Sequence, residues 1–135
     1  MRSSRTGAML WKRFNPNPQG LIVGDCTVRA ICAVTGKEWD TIHRELCALS
    51  RDMADMPSSD RVWWELLRQY GFNWRRLIDR CPDCYTVRDF ARDHPYGDYV
   101  LGPPEHAVAV IDGRYLDSWD SGGTVPTYYL TKFGG

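Results

Sequence analysis

The chain has 135 residues, 43% of them hydrophobic, with six Trp and seven Tyr, a size and content that fit one domain with its own core. Lys+Arg and Asp+Glu each number 17, and a zero formal charge argues against a general nucleic-acid binder, which carries a basic excess. No apolar run approaches the roughly 20 residues of a membrane span, and the basic start MRSSRTGAMLWKRF lacks the apolar stretch of a signal peptide, so neither is expected.

Residues 1–13 read as a flexible extension, with Met9 an alternative start. Residues 14–20, FNPNPQG, carry two X-Pro steps that force an extended or turning path. Residues 26–35, CTVRAICAVT, read as a helix apolar nearly all round, with Asp25 as N-cap, Gly36 just past its end and Arg29 its one charge. A second helix is expected from about Lys37 to Ser50, with Trp39, Ile42, Leu46 and Leu49 inward. A third runs from a cap at Ser58 or Ser59 to about Tyr70, ended by Gly71. Residues 72–78 look extended, Arg80 to Tyr85 a turn, and Thr86 to about Asp93 a short helix stopped by Pro95. Strands follow at 98–101, 106–111, 114–119 and about 127–131, with Asp112-Gly113 a two-residue hairpin turn. Helices first and an antiparallel sheet after them make the class α+β, a single domain over 1–135.

Three residues carry the chemistry. Cys26 stands at the first turn of its helix, where unpaired N–H groups and the positive dipole end favour a thiolate and can also hold an oxyanion. His106 follows Gly102-Pro103-Pro104-Glu105 and opens a strand, which puts it at a sheet edge near a cleft. Counting back from the Asp112-Gly113 turn, Ile111 opposes Arg114, Val108 opposes Asp117 and His106 opposes Trp119. Asp117 is then the diagonal neighbour of His106, roughly 7–8 Å away between backbones, close enough to hold the imidazole tautomer, with Trp119 as a cover against water. Asp120 points to the other face and is the weaker choice. His43, inside a helix, and His94, before Pro95, read as surface or packing residues.

The order of a Cys at a helix start, a His opening a strand, then Asp117-Ser118-Trp119 on the next strand resembles papain-like cysteine peptidases, with Asp in place of their Asn. The stretches FNPNPQGLIVGDCTVRAICAVTGKEWD, DMPSSDRVWW and HAVAVIDGRYLDSWDSG are similar to those of a group of small bacterial and phage proteins read as papain-like in fold. The likeness runs from about Phe14 to Tyr129. It implies a papain-like fold, N-terminal helices packed on a C-terminal antiparallel sheet, and a Cys26–His106–Asp117 triad acting through an acyl-enzyme on a peptide, isopeptide or amide bond, with no cofactor. One departure concerns the oxyanion Gln that such enzymes place six residues before the Cys. Gly20 stands there, and Gln19 or Asn17 is left to supply that donor.

Five Cys in loose spacing (26, 32, 47, 81 and 84) do not form a secreted disulfide framework, and a reducing cytoplasm, bacterial or host, is expected. Cys81-Pro82-Asp83-Cys84 is a single pair where structural zinc needs four ligands, so unpaired thiols in a turn are expected there and no metal. Arg61, Arg68, Arg75, Arg76 and Arg80 read as a solvated face rather than a nucleic-acid patch. The expected partner is a protein or peptide substrate, with no nucleic acid and no membrane. Two rival readings keep the same shape: a non-catalytic binding or inhibitory module, and an acyltransferase with the same triad.

Overall fold

The computed structural model describes residues 10–78 and 84–132. Four helices and one six-stranded sheet are present among them, an α+β arrangement. In chain order the strand β1 (Trp11–Arg13) is followed by α1 (Cys26–Thr35), α2 (Trp39–Met53) and α3 (Asp60–Gln69). Then come β2 (Asn73–Arg76), α4 (Val87–Asp93), β3 (Asp98–Leu101), β4 (Val108–Ile111), β5 (Arg114–Asp117) and β6 (Tyr128–Thr131). The strand order across the sheet is β1-β5-β4-β3-β6-β2.

Helix ends follow local chemistry. Gly36 takes φ 74 and returns its N–H to the Cys32 carbonyl, which only a residue without a Cβ does cheaply. Thr86 and Asp89 form a reciprocal capping box at the start of α4. Asp112 (φ 49) and Gly113 (φ 81) both adopt the left-handed conformation of a tight hairpin turn, and the observed pairs Ile111–Arg114, Val110–Tyr115 and Ala109–Leu116 match the sequence count.

The sheet is mixed rather than antiparallel. β1 lies parallel to β5, pairing Trp11 with Tyr115 and Arg13 with Asp117. Residues 11–13, expected within a flexible extension, are thus an edge strand, and Leu10 beside them is buried. A three-residue strand whose partner lies a hundred positions away leaves no periodic mark in sequence.

Apolar side chains of α1, α2 and α3 (Ile31, Ile42, Leu46, Trp63, Leu67) pack with Val100, Ala109 and Leu130 of the sheet in one cluster. Phe90 and Ala91 of α4 pack with Leu10, Leu101, Val108, Val110 and Tyr115 in a second. Alternate residues of β3 and β4 feed the two clusters, as strand geometry requires, so the sheet is covered on both faces. No helix among the described residues is long and apolar enough to cross a membrane.

Candidate active site

Cys26 opens α1, which packs directly on β3, β4 and β5. This packing sets the positive end of α1 beside the loop that carries His106. The same cleft, of about 530 Å³, is lined by Cys26 and Thr27 from α1, Asp60 and Trp63 from α3, and His106 and Tyr128 from the sheet side.

Asp25 is the N-cap residue of α1, but its side chain makes no capping bond. Its Oδ1 instead accepts from Arg29 at 2.7 Å and its Oδ2 from the Trp39 indole at 2.9 Å. The expected cap is therefore corrected: the carboxylate is drawn to a buried guanidinium one turn along, which neutralises it. The first-turn amides of α1 have no intrahelical acceptor, and the Asp25 side chain does not cap them.

His106 does not open β4. It stands two residues earlier, closing a turn in which its N–H bonds the Pro103 carbonyl at 3.1 Å, and Glu105 before it takes φ 55. Its Nε2 meets Asp117 Oδ2 at 2.6 Å. With the carboxylate accepting there, Nε2 carries the proton and Nδ1 is the atom left for the sulfur. Trp119, past the end of β5, lays its ring 5.2 Å from the imidazole.

Asp117 is fully buried and fully bonded. Its Oδ1 takes the Arg29 guanidinium at 3.0 Å and the Ser118 N–H at 2.8 Å, and its Oδ2 takes His106 and the Ser121 hydroxyl at 2.6 Å. Its backbone carbonyl accepts the Phe14 N–H and the Trp11 indole, so β1 holds the strand end that aims it. Burial raises its pKa, but the bonds from His106 and Ser121 and the His106 and Arg29 charges outweigh that and leave it below the usual carboxylate range. Burial likewise pulls the His106 pKa down; the hydrogen bonds and charges of Asp117 and Cys26 reverse this and push it up to about 9. The site thus favours an imidazolium between a sulfur and a carboxylate.

The structure brings Cys26, His106 and Asp117 together. It does not bring Gln19 or Asn17 to them: neither lines the cleft, Gln19 is exposed, and Asn17 Oδ1 holds its own loop through the Gln19 and Leu21 amides. Asp120 lies apart, accepting from the Tyr115 hydroxyl. His43 stacks on Trp39, and His94 stacks on Phe90. Cys84 is disulfide-bonded, correcting the unpaired thiol expected there, while Cys81 lies outside the described residues. No group of three or more His, Cys, Asp or Glu suited to a metal occurs among the described residues.

Sequence reasoning missed Ser121 and the double role of Arg29. A lone charge four residues after an acidic one in an apolar helix was the available signal for Arg29. Ser121, in the loop after β5, offered none.

Comparison with known proteins gave no match to a family model, to a curated protein or to a solved structure.

Proposed function

We propose that this chain is a cysteine hydrolase of papain-like design, cleaving a peptide, isopeptide or amide bond through an acyl-enzyme on Cys26. The observation that carries this reading is the 2.6 Å contact between His106 and a buried Asp117, with Cys26 in the same cleft and acting on the same imidazole. A merely packed histidine does not need a carboxylate that four donors satisfy.

The Cys26 thiolate attacks the carbonyl carbon, and the carbonyl π pair moves onto oxygen, which the first-turn amide of α1 stabilises. The tetrahedral species collapses, the C–N bond breaks, and the His106 imidazolium gives its Nδ1 proton to the leaving amine. Water, losing a proton to neutral His106, then attacks the thioester carbon and the sulfur leaves as thiolate. Asp117 holds the ring through Nε2 and balances its charge throughout.

Cys47 offers an internal control, because it is also half-exposed and its sulfur lies 3.8 Å from a ring nitrogen of His43. Cys32 is a second control, buried, with burial and the Asp25 charge pushing its thiol up to about 12. Iodoacetamide near neutral pH is expected to label Cys26 first, Cys47 more slowly and Cys32 last. His106→Ala is expected to slow labelling of Cys26 and to lower hydrolysis about 10²–10⁴-fold. Equal rates at Cys26 and Cys47, unchanged by His106→Ala, would sink the hydrolase reading.

A further inference from the structure

A tetrahedral intermediate needs a second hydrogen-bond donor opposite the α1 amide, and the segment before Cys26 does not provide it. Among the described residues, five others lining the cleft carry a side-chain N–H or O–H besides His106: Thr27, Ser58, Trp63, Thr127 and Tyr128. Trp63 Nε1 is committed to Asp60 at 3.1 Å, and Thr127 Oγ1 faces the Gly102 carbonyl at 3.4 Å. Thr27 follows Cys26 on the helix, so its side chain leaves about 100° round the axis from the sulfur. Ser58 is exposed in the loop before α3.

Tyr128 differs from these in how firmly it is held. Its ring stacks on Trp74 at 5.6 Å, meets Trp64 edge-on at 5.0 Å and touches Trp63 at 6.3 Å. The remaining side is closed by the Gly102 backbone: a Cβ there would lie 2.0 Å from the ring. Gly102 begins the Gly-Pro-Pro-Glu run that leads to His106, so one wall of the cleft is built on this ring. The buried Trp64 indole N–H, on the ring that meets Tyr128 edge-on, makes no hydrogen bond among the described residues.

We propose that the Tyr128 hydroxyl is the second oxyanion donor of this site, taking with the α1 amide the charge that forms on the carbonyl oxygen; this rests on the cysteine-hydrolase reading above. Burial pushes the Tyr128 pKa up to about 12 against the pull of Trp64, with the Asp60 and Cys26 charges adding to the rise, so the group stays a proton donor at working pH. In the acylation step the C=O π pair becomes an oxygen lone pair, the O–H of Tyr128 hydrogen-bonds it without transferring its proton, and the bond is released when the carbonyl re-forms.

Two reactions of Cys26 separate this role from packing. Alkylation by iodoacetamide displaces iodide and forms no oxyanion; acylation by p-nitrophenyl acetate forms one and needs no proton from His106. Tyr128→Phe keeps the ring and removes the donor. It is expected to leave the alkylation rate unchanged and to lower the acylation rate about 10²–10³-fold. Ser58→Ala is expected to change neither. Acylation of the Tyr128→Phe protein at the wild-type rate, or the same loss from Ser58→Ala, overturns the proposal while leaving the nucleophile intact. A wild-type protein that alkylates at Cys26 yet forms no acyl-enzyme overturns the hydrolase reading itself, and the donor role with it.

Discussion

Two sets of ion pairs in this molecule use the same residue types and do different things. Behind His106 runs a buried line, Asp25–Arg29–Asp117, whose side chains are 5%, 4% and 0% exposed. On the outside of α2 and α3 sit pairs such as Asp40–Arg44 at 2.9 Å and Glu65–Arg68 at 2.8 Å, open to water. The distances are alike, so distance is not what separates them. In water the attraction of a pair nearly cancels against lost hydration and side-chain entropy. In the interior each charge has given up its hydration, and the partner is what makes the fold tolerable. The buried line is therefore a positional device. It links the helix that carries Cys26 to the strand that carries Asp117.

The sharpest way to break that contrast is to remove its centre. Arg29→Met keeps the length and apolar stem of the side chain and removes the cation that buried Asp25 and Asp117 share, leaving Asp117 with only His106 as a cationic partner among the described residues. It is expected to lower stability by about 3–5 kcal/mol, read as the denaturant midpoint at pH 7. A loss no larger than that from a solvent-exposed pair would mean that Asp25 is adequately held by the Trp39 indole and Asp117 by His106, Ser118 and Ser121.

A pH series sharpens the comparison next, because the buried line contains Asp117, which bonds His106, and the titration of both is shifted. His106 is raised from 6.5 to about 9. Its contribution to stability is therefore fully present below about pH 6.5 and is lost as pH rises through about 9. Asp117 is lowered from 3.8, so its contribution is present above about pH 4 and is lost as pH falls through its depressed value. Stability from this line should be greatest between those limits. In the proposed mechanism the imidazolium protonates the leaving amine, so hydrolysis should fall on the alkaline side with a limb near 9. In Asp117→Asn the carboxylate charge is gone and that limb should move to lower pH. An alkaline limb that does not move on this substitution would separate Asp117 from the titration of His106.

Local and non-local pieces of the site differ in how well they could be read from sequence. The helix at Cys26 and its Gly36 end, the Asp112-Gly113 turn and the β4–β5 register all follow from signals a few residues long, and the register was enough to set Asp117 beside His106. The alternation of His-Ala-Val-Ala-Val-Ile extends the strand too far, because the Pro103–His106 turn ends the ladder before the histidine. Asp25 reads as a cap by type, and the competing bond to Arg29 is visible only if the i, i+4 spacing is weighed against it. The parallel strand at Trp11–Arg13 and the ring wall of Tyr128, Gly102, Trp64 and Trp74 depend on segments far apart in the chain, which no window on the sequence brings together. Donors from the loop before Cys26 were expected from resemblance alone, and there the loop turns its polar groups on itself.

The smallest expected effect tests the other half of the contrast. Arg44 and Asp40 lie one turn apart on α2, with side chains 77% and 62% exposed. Arg44→Gln keeps a long, helix-compatible side chain and removes the charge. With the pair solvated and screened, the change should cost under about 0.5 kcal/mol and shrink further in high salt, where the Debye length falls to about 3 Å at 1 M. Denaturant midpoints for the wild type and Arg44→Gln, measured at low and high salt, give this number directly. A loss above 1 kcal/mol that persists in salt would mean that exposure is not what divides the two sets. The positional role given to Arg29 would then have to rest on its geometry alone.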